Sequence, residues 1–181
     1  MDAVRLSPPE IEQAMRSLTV LVDTREQDTP QFRRRMERLN LPHKRCKLDF
    51  GDYSCAVMID GAEVSLADEF AIERKMSLDE LAACYTKGRK RFEREFERAR
   101  RHGARVYLLV EKASWEKAYN GQYRSRMTPQ SLTASMQAWL ARYGCQIIMC
   151  EPETTPVLIR DICVRETKER LEAMQKNESD L

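Results

Sequence analysis

The chain has 181 residues, 31 of them Lys or Arg against 29 Asp or Glu, for a formal net charge of +2, and it is 42% hydrophobic and 33% charged. Such a balance suits a globular chain with a heavily charged exterior, and no apolar run approaches the roughly 18–20 residues of a bilayer span. The first residues, MDAVRLSPPEIEQAM, lack the basic start and apolar stretch of a secretory signal, so a cytoplasmic protein is expected.

Ser7-Pro8-Pro9-Glu10 reads as a capping box opening a helix to about Ser17. Leu18 to Val22 is a β-branched apolar run, a buried strand closed by Asp23. A basic helix follows over Pro30 to Asn40, then strands over Lys44 to Phe50 and Tyr53 to Ile59, with Asp60-Gly61 as a turn signal. Phe70 to Glu73 resumes strand character. Ser77-Leu78-Asp79-Glu80 caps the clearest helix, whose stripe of Leu78, Leu81, Ala82 and Tyr85 is interrupted at Gly88 and resumes with Phe92, Phe96 and Ala99 before Gly103. Val106 to Val110 is another buried strand. Thr128-Pro129 opens a helix ending at Gly144, Cys145 to Cys150 is the last strand, and Thr155-Pro156 starts a helix toward Arg170. Strands interleaved with helices indicate an α/β fold, a mixed central sheet flanked by helices. The expected organisation is an amino-terminal helical extension over 1–17, a domain over 18–175 and a frayed tail over 176–181.

Six scattered cysteines include no CxxC pair, which favours reduced, buried thiols over a zinc site. With only His43 and His102 present, hydrolytic chemistry falls to carboxylates and lysines. Charge is concentrated instead. Arg33 to Lys47 and Lys87 to Arg105 each carry six more basic than acidic residues, although the whole chain is only +2. Two such segments can present a phosphate-binding surface on a near-neutral protein; they also read as solvated helix faces with Glu–Arg pairs at i,i+4 spacing.

Several charged residues fall at strand ends and a helix start. Asp23 closes the first strand, Asp52 lies between two strands, Glu73 and Lys75 end a third, and Asp79 sits in the first turn of the next helix. Glu73 and Lys75 are two apart, so on a strand they share one face while Arg74 points to the other. Hard oxygen ligands, a divalent cation and a nearby ammonium are what phosphodiester hydrolysis requires.

Gly51-Asp52, Glu73-Arg74-Lys75 and Asp79 reproduce the GDx(n)ERKx(3)D signature, and Val22-Asp23-Thr24-Arg25-Glu26 and Gly51-Asp52-Tyr53 match its neighbouring VDxRE and GDY motifs. In these motifs the chain resembles the XPF-type structure-specific DNA endonucleases of the PD-(D/E)xK superfamily, over about Leu18 to Cys150. The resemblance implies a restriction-endonuclease-like fold for 18–175 and an Mg²⁺- or Mn²⁺-dependent endonuclease cutting branched or double-stranded DNA (flaps, forks or Holliday junctions) in repair, recombination or replication. Asp52 and Glu73 become the principal metal ligands, Asp23 a further acidic contributor, Lys75 the group that positions or activates water, with Arg74 and Asp79 completing the catalytic set. Arg25, Arg89, Lys90 and Arg91, and the loop arginines Arg124 and Arg126, become DNA contacts.

The family usually carries helix-hairpin-helix modules after the nuclease domain. Only one helix follows Cys150, which resembles stand-alone bacterial or phage forms. A homodimer through the nuclease domain is expected, with Trp139 and Leu140 available for it or for ordinary core packing. The alternative function is a non-catalytic DNA-binding scaffold subunit, although such partners typically lose signature carboxylates or the lysine.

Overall fold

Local capping signals set the helix boundaries in the computed structural model, which describes residues 6–175. The tail expected over 176–181 and the first five residues lie outside the described residues. In order the elements are α1 (Pro8–Arg16), β1 (Thr19–Asp23), α2 (Pro30–Leu39), β2 (His43–Cys46), β3 (Tyr53–Ile59), β4 (Ala62–Ser65), β5 (Phe70–Lys75), α3 (Leu78–Tyr85), α4 (Arg89–His102), β6 (Arg105–Glu111), α5 (Trp115–Tyr119), α6 (Pro129–Tyr143), β7 (Gln146–Cys150) and α7 (Thr155–Gln175). Thr29, Ser77 and Thr128 each accept a hydrogen bond from the backbone N–H three residues on, and Pro opens both α2 and α6.

The seven strands form one mixed sheet in the order β2-β1-β3-β5-β6-β7, with β4 paired to β3. β1–β2, β5–β6 and β6–β7 are parallel, whereas β1–β3, β3–β4 and β3–β5 are antiparallel. Helices cover both faces, as buried parallel strands require. Alternation along β6 makes the division plain. Tyr107 and Leu109 point into a core with Ile11, Met36, Ile159 and Cys163 from α1, α2 and α7, while Val106, Leu108 and Val110 point to the other, with Leu81, Phe92, Phe96 and Trp139 from α3, α4 and α6.

Some sequence expectations change. The strand expected over Lys44 to Phe50 ends at Cys46, because the Leu48 N–H turns inward to the Asp23 carboxylate (2.8 Å) and Leu48 packs on Leu21 and Ala56. Two short elements, β4 and α5, have no counterpart among the expected ones, and the last helix continues past Arg170 to Gln175. Trp139 is fully buried, stacked on Phe92 at 5.6 Å and edge-on to Tyr85 at 4.7 Å, so it belongs to the core and is closed to a pairing partner.

Gly51 fixes the approach to β3. It has φ +73°, and a Cβ there would stand 2.6 Å from the Ala71 Cβ, a contact no side chain tolerates. Gly51→Ala should therefore lower unfolding free energy by about 2–4 kcal/mol, combining the left-handed penalty with overpacking. Gly61→Ala, at φ +77° but in open space, should cost about 1–2 kcal/mol. Urea denaturation of both variants checks the difference.

Candidate active site

Face alternation along β5 sorts the signature residues. Phe70 and Ile72 enter the α1/α2/α7 core and Ala71 the α3/α4/α6 core, so Glu73 and Lys75 project with Ala71 and Arg74 projects with Ile72. The loop before β3 is locked beside them: the Asp52 N–H donates to the Ile72 carbonyl at 2.8 Å, and the Arg74 N–H donates to Asp52 Oδ2 at 2.8 Å. Backbone pairing thus carries Asp52 to the flank of Glu73. Lys75 Nζ donates to Glu73 Oε1 and lies 5.2 Å from the centre of the Phe92 ring, a cation–π contact that holds its stem against α4.

These groups form the floor of a cleft of about 1110 Å³. Its walls come from α2, from the α3–α4 turn and from one face of α4, where Gly88, Arg91, Phe92 and Glu95 follow helical spacing. Arg34, Arg38, Lys87 and Arg91 line it and are exposed, and among the described residues none of the four lies within 4 Å of a carboxylate. The rim is therefore cationic while the floor is anionic.

Electrostatics on the floor follow from burial. Burial raises the Asp52 carboxyl to about 7 against the pull of Lys75. Burial, then the charge of Asp52, pushes the Glu73 carboxyl well above its usual range. Burial lowers the Lys75 ammonium pKa, but Glu73 and Asp52 outweigh it and keep the group charged. Glu73 Oε2 is buried and, among the described residues, without a hydrogen-bond partner. Two carboxyl groups facing one ammonium, with a buried acceptor left over, form a donor set that a hard divalent cation would complete. Asp52 and Glu73 are the residues that would hold it, leaving further positions to water and phosphate oxygens as Mg²⁺ prefers.

Other sequence candidates have different surroundings. Asp23 is buried, and its oxygens are filled by the Arg25 N–H (2.8 Å), Arg25 Nε (2.6 Å) and the Leu48 N–H (2.8 Å). Burial pushes its carboxyl up, but the Arg25 and Leu48 hydrogen bonds win and hold it below the usual range. It braces the loop after β1 and is not among the residues that line the cleft, whereas Arg25, which it holds, does line it. Asp79 also faces away, its Oδ1 accepting from the Arg124 and Ser125 N–H groups at 2.7 Å each. Arg74 reaches Glu111 at 3.0 Å, and Glu111 accepts from Thr155 at the start of α7 at 2.8 Å. Arg25 and Arg91 line the cleft, whereas Arg89 and Lys90 do not: Arg89 pairs with Glu93 at 3.0 Å and covers the Trp139 ring at 5.3 Å, and Lys90 borders a shallow groove with Arg142. One residue along a helix is a rotation of about 100°, which separates Arg89 and Lys90 from the cleft face.

Sequence reasoning missed Glu95. This buried carboxylate on α4 lines the cleft, accepts from the Gly51 N–H at 3.2 Å and lies 3.9 Å from Arg25. A signal for it exists: it interrupts the apolar stripe of Phe92, Phe96 and Ala99. Glu26 makes contacts that its motif does not announce, Tyr53 Oη donating to it at 2.8 Å and Arg35 at 3.1 Å. Elsewhere Asp49, Asp68 and His102 bring three donor atoms within 4.8 Å of one another, but all three are exposed and lie outside the cleft.

The elevated carboxyl groups set a pH dependence. In the cation-free protein Asp52 and Glu73 retain protons that the unfolded chain releases near pH 4, so their contribution to stability is full at low pH and is lost as pH rises, for Asp52 through about 7. The melting temperature in EDTA should fall between pH 5 and 8 by on the order of 5 °C. Added Mg²⁺ or Mn²⁺ should stabilise more at pH 8 than at pH 5, and Asp52→Asn should flatten the EDTA profile. A rising EDTA profile over that window would contradict the assignment.

The ERCC4 domain family model matches residues 22–158. Among solved structures, XPF from Aeropyrum pernix is similar with a TM-score of 0.60 and 25% identity over 82% of this chain and 61% of that one. XPF from Aeropyrum pernix in complex with DNA gives a TM-score of 0.60 and 26% identity over 84% of this chain and 66% of that one. The chain spans less than two thirds of either solved chain. No curated protein matches it significantly.

Proposed function

The chain belongs to the ERCC4 domain family, and from that premise we propose that it is a divalent-metal-dependent endonuclease hydrolysing phosphodiester bonds in branched DNA. The observation that carries this reading is the group of half-buried Asp52 with buried Glu73 and Lys75, whose Glu73 Oε2 has no partner among the described residues, at the bottom of a cationic cleft. The similar Aeropyrum pernix XPF structure with bound DNA supports DNA as the ligand.

Asp52 and Glu73 are proposed to hold Mg²⁺ or Mn²⁺, which when bound polarises a phosphoryl oxygen and makes water a better nucleophile at neutral pH. Lys75 acts as a cation, because the adjoining carboxylates keep its ammonium protonated. It therefore orients the attacking water by donating a hydrogen bond, and it offsets charge developing on the phosphoryl group. Arg34, Arg38, Lys87 and Arg91 are placed to hold phosphates on either side of the reacting one, contacts that position a duplex without reading its sequence. Arg25 and Glu95 keep the Gly51–Asp52 loop in place through Asp23 and the Gly51 N–H.

Labelled flap, fork, four-way junction and plain duplex, incubated with Mg²⁺ or EDTA, test the reading. Wild type should cut a branched substrate only with the metal. Glu73→Gln and Lys75→Ala should each reduce cleavage by about 10²–10³-fold, with affinity for the same DNA in EDTA little changed. Lys87→Ala and Arg91→Ala should instead weaken binding and reduce its salt dependence, by about 0.9 log units per log unit of salt for each phosphate no longer neutralised. Binding of branched DNA without cutting under any divalent metal would make the protein a scaffold subunit.

A further inference from the structure

Beside the cleft stands a second surface to which the hydrolytic reading gives no role. α5 carries Trp115, half-buried, and Tyr119, 56% exposed, with ring centroids 6.3 Å apart. The loop that follows places Arg124 and Arg126 in solvent. Between Lys112 and Arg126 there are four basic residues and one acidic residue. An exposed ring beside a half-buried one, with two exposed arginines that meet no carboxylate among the described residues, suits single-stranded nucleic acid, the rings stacking on bases and the cations following the backbone.

The loop is held in shape. The Gln122 N–H donates to the Lys117 carbonyl at 2.9 Å, Tyr123 Oη donates to the Met127 carbonyl at 2.8 Å, and Asp79 Oδ1 receives both the Arg124 and Ser125 N–H groups. Asp79 thereby fastens the loop to the first turn of α3, three residues beyond Met76. Met76 is 55% exposed and lines the cleft next to Lys75. Lys112, at φ 54°, also lines the cleft and stands at the approach to α5. Cleft and aromatic surface are thus linked at two points, one on each connecting segment.

We propose that α5 and the loop after it form a docking surface for single-stranded DNA leaving the cleft, with Trp115 and Tyr119 stacking on bases and Arg124 and Arg126 meeting backbone phosphates. This rests on the nuclease reading for the identity of the strand. It gives Asp79 a role in positioning the loop, and it accounts for discrimination of a flap or fork from continuous duplex: those branches offer unpaired bases beside the cut.

The chain contains two tryptophans, and Trp139 is fully buried. Fluorescence quenching by an oligothymidylate of about 15 nucleotides, added to the full chain in EDTA, therefore reports on Trp115. Saturable quenching is expected, absent in Trp115→Phe. Tyr119→Ala, at a solvent-facing position that leaves folding intact, should weaken oligothymidylate binding by about tenfold and blunt-duplex binding by less than about twofold. No quenching in wild type, or unchanged single-strand affinity in both Tyr119→Ala and Arg124→Ala, would overturn the proposal. Quenching by the oligonucleotide in a protein that cuts no branched DNA would overturn the nuclease reading and leave the docking surface standing; cleavage of flaps at equal rates by wild type and Tyr119→Ala, without quenching, would do the reverse.

Discussion

A buried and a half-buried carboxyl group set against one buried ammonium is the constraint on which this fold turns. Asp52 and Glu73 repel one another in a medium that screens poorly, and Lys75 balances only one negative charge. Hydrophobic residues of similar size would pack there at lower cost. The arrangement persists because backbone hydrogen bonds hold it: the β3 approach is pinned to Ile72 and Arg74, and Gly51 lies so close to Ala71 that the loop has one way to pass. Electrostatic conflict of this kind, with an acceptor left unfilled, is expected where a cation belongs.

Around that floor the charged residues separate into two groups. Arg25 with Asp23, Arg35 with Glu26 and Tyr53, and Arg74 with Glu111 and Thr155 are paired within the protein, and they hold the loops and the start of α7 against the sheet. Arg34, Arg38, Lys87 and Arg91 are unpaired among the described residues and face the cleft. A near-neutral chain therefore presents a local cationic rim without an overall basic charge.

Much of this is legible in the sequence because it depends on local chemistry. Thr29, Ser77 and Thr128 announce their helices, Gly103 and Gly144 end theirs, and the two-residue spacing of Glu73 and Lys75 puts them on one face of a strand. What stays hidden is decided by partners distant along the chain. Asp23 and Asp52 look alike in sequence, each beside an apolar strand, yet the Leu48 N–H, 25 residues away, fills one, while the other stands beside Glu73. Arg89 and Arg91 are equally basic, and only the rotation of α4 against Trp139 decides which reaches the cleft. Glu95 is visible as a break in an apolar stripe, but its meaning needs Gly51 beside it.

Whether a divalent cation binds on the cleft floor is the decisive question for this protein. Crystals soaked in Mn²⁺ and measured at an energy where manganese scatters anomalously locate it directly. The expected peak lies between the Asp52 and Glu73 carboxylates, beside Lys75, and is absent in Glu73→Gln. A peak only at Asp49, Asp68 and His102, or none under conditions where the protein cuts DNA, would contradict the assignment of the metal to the cleft floor.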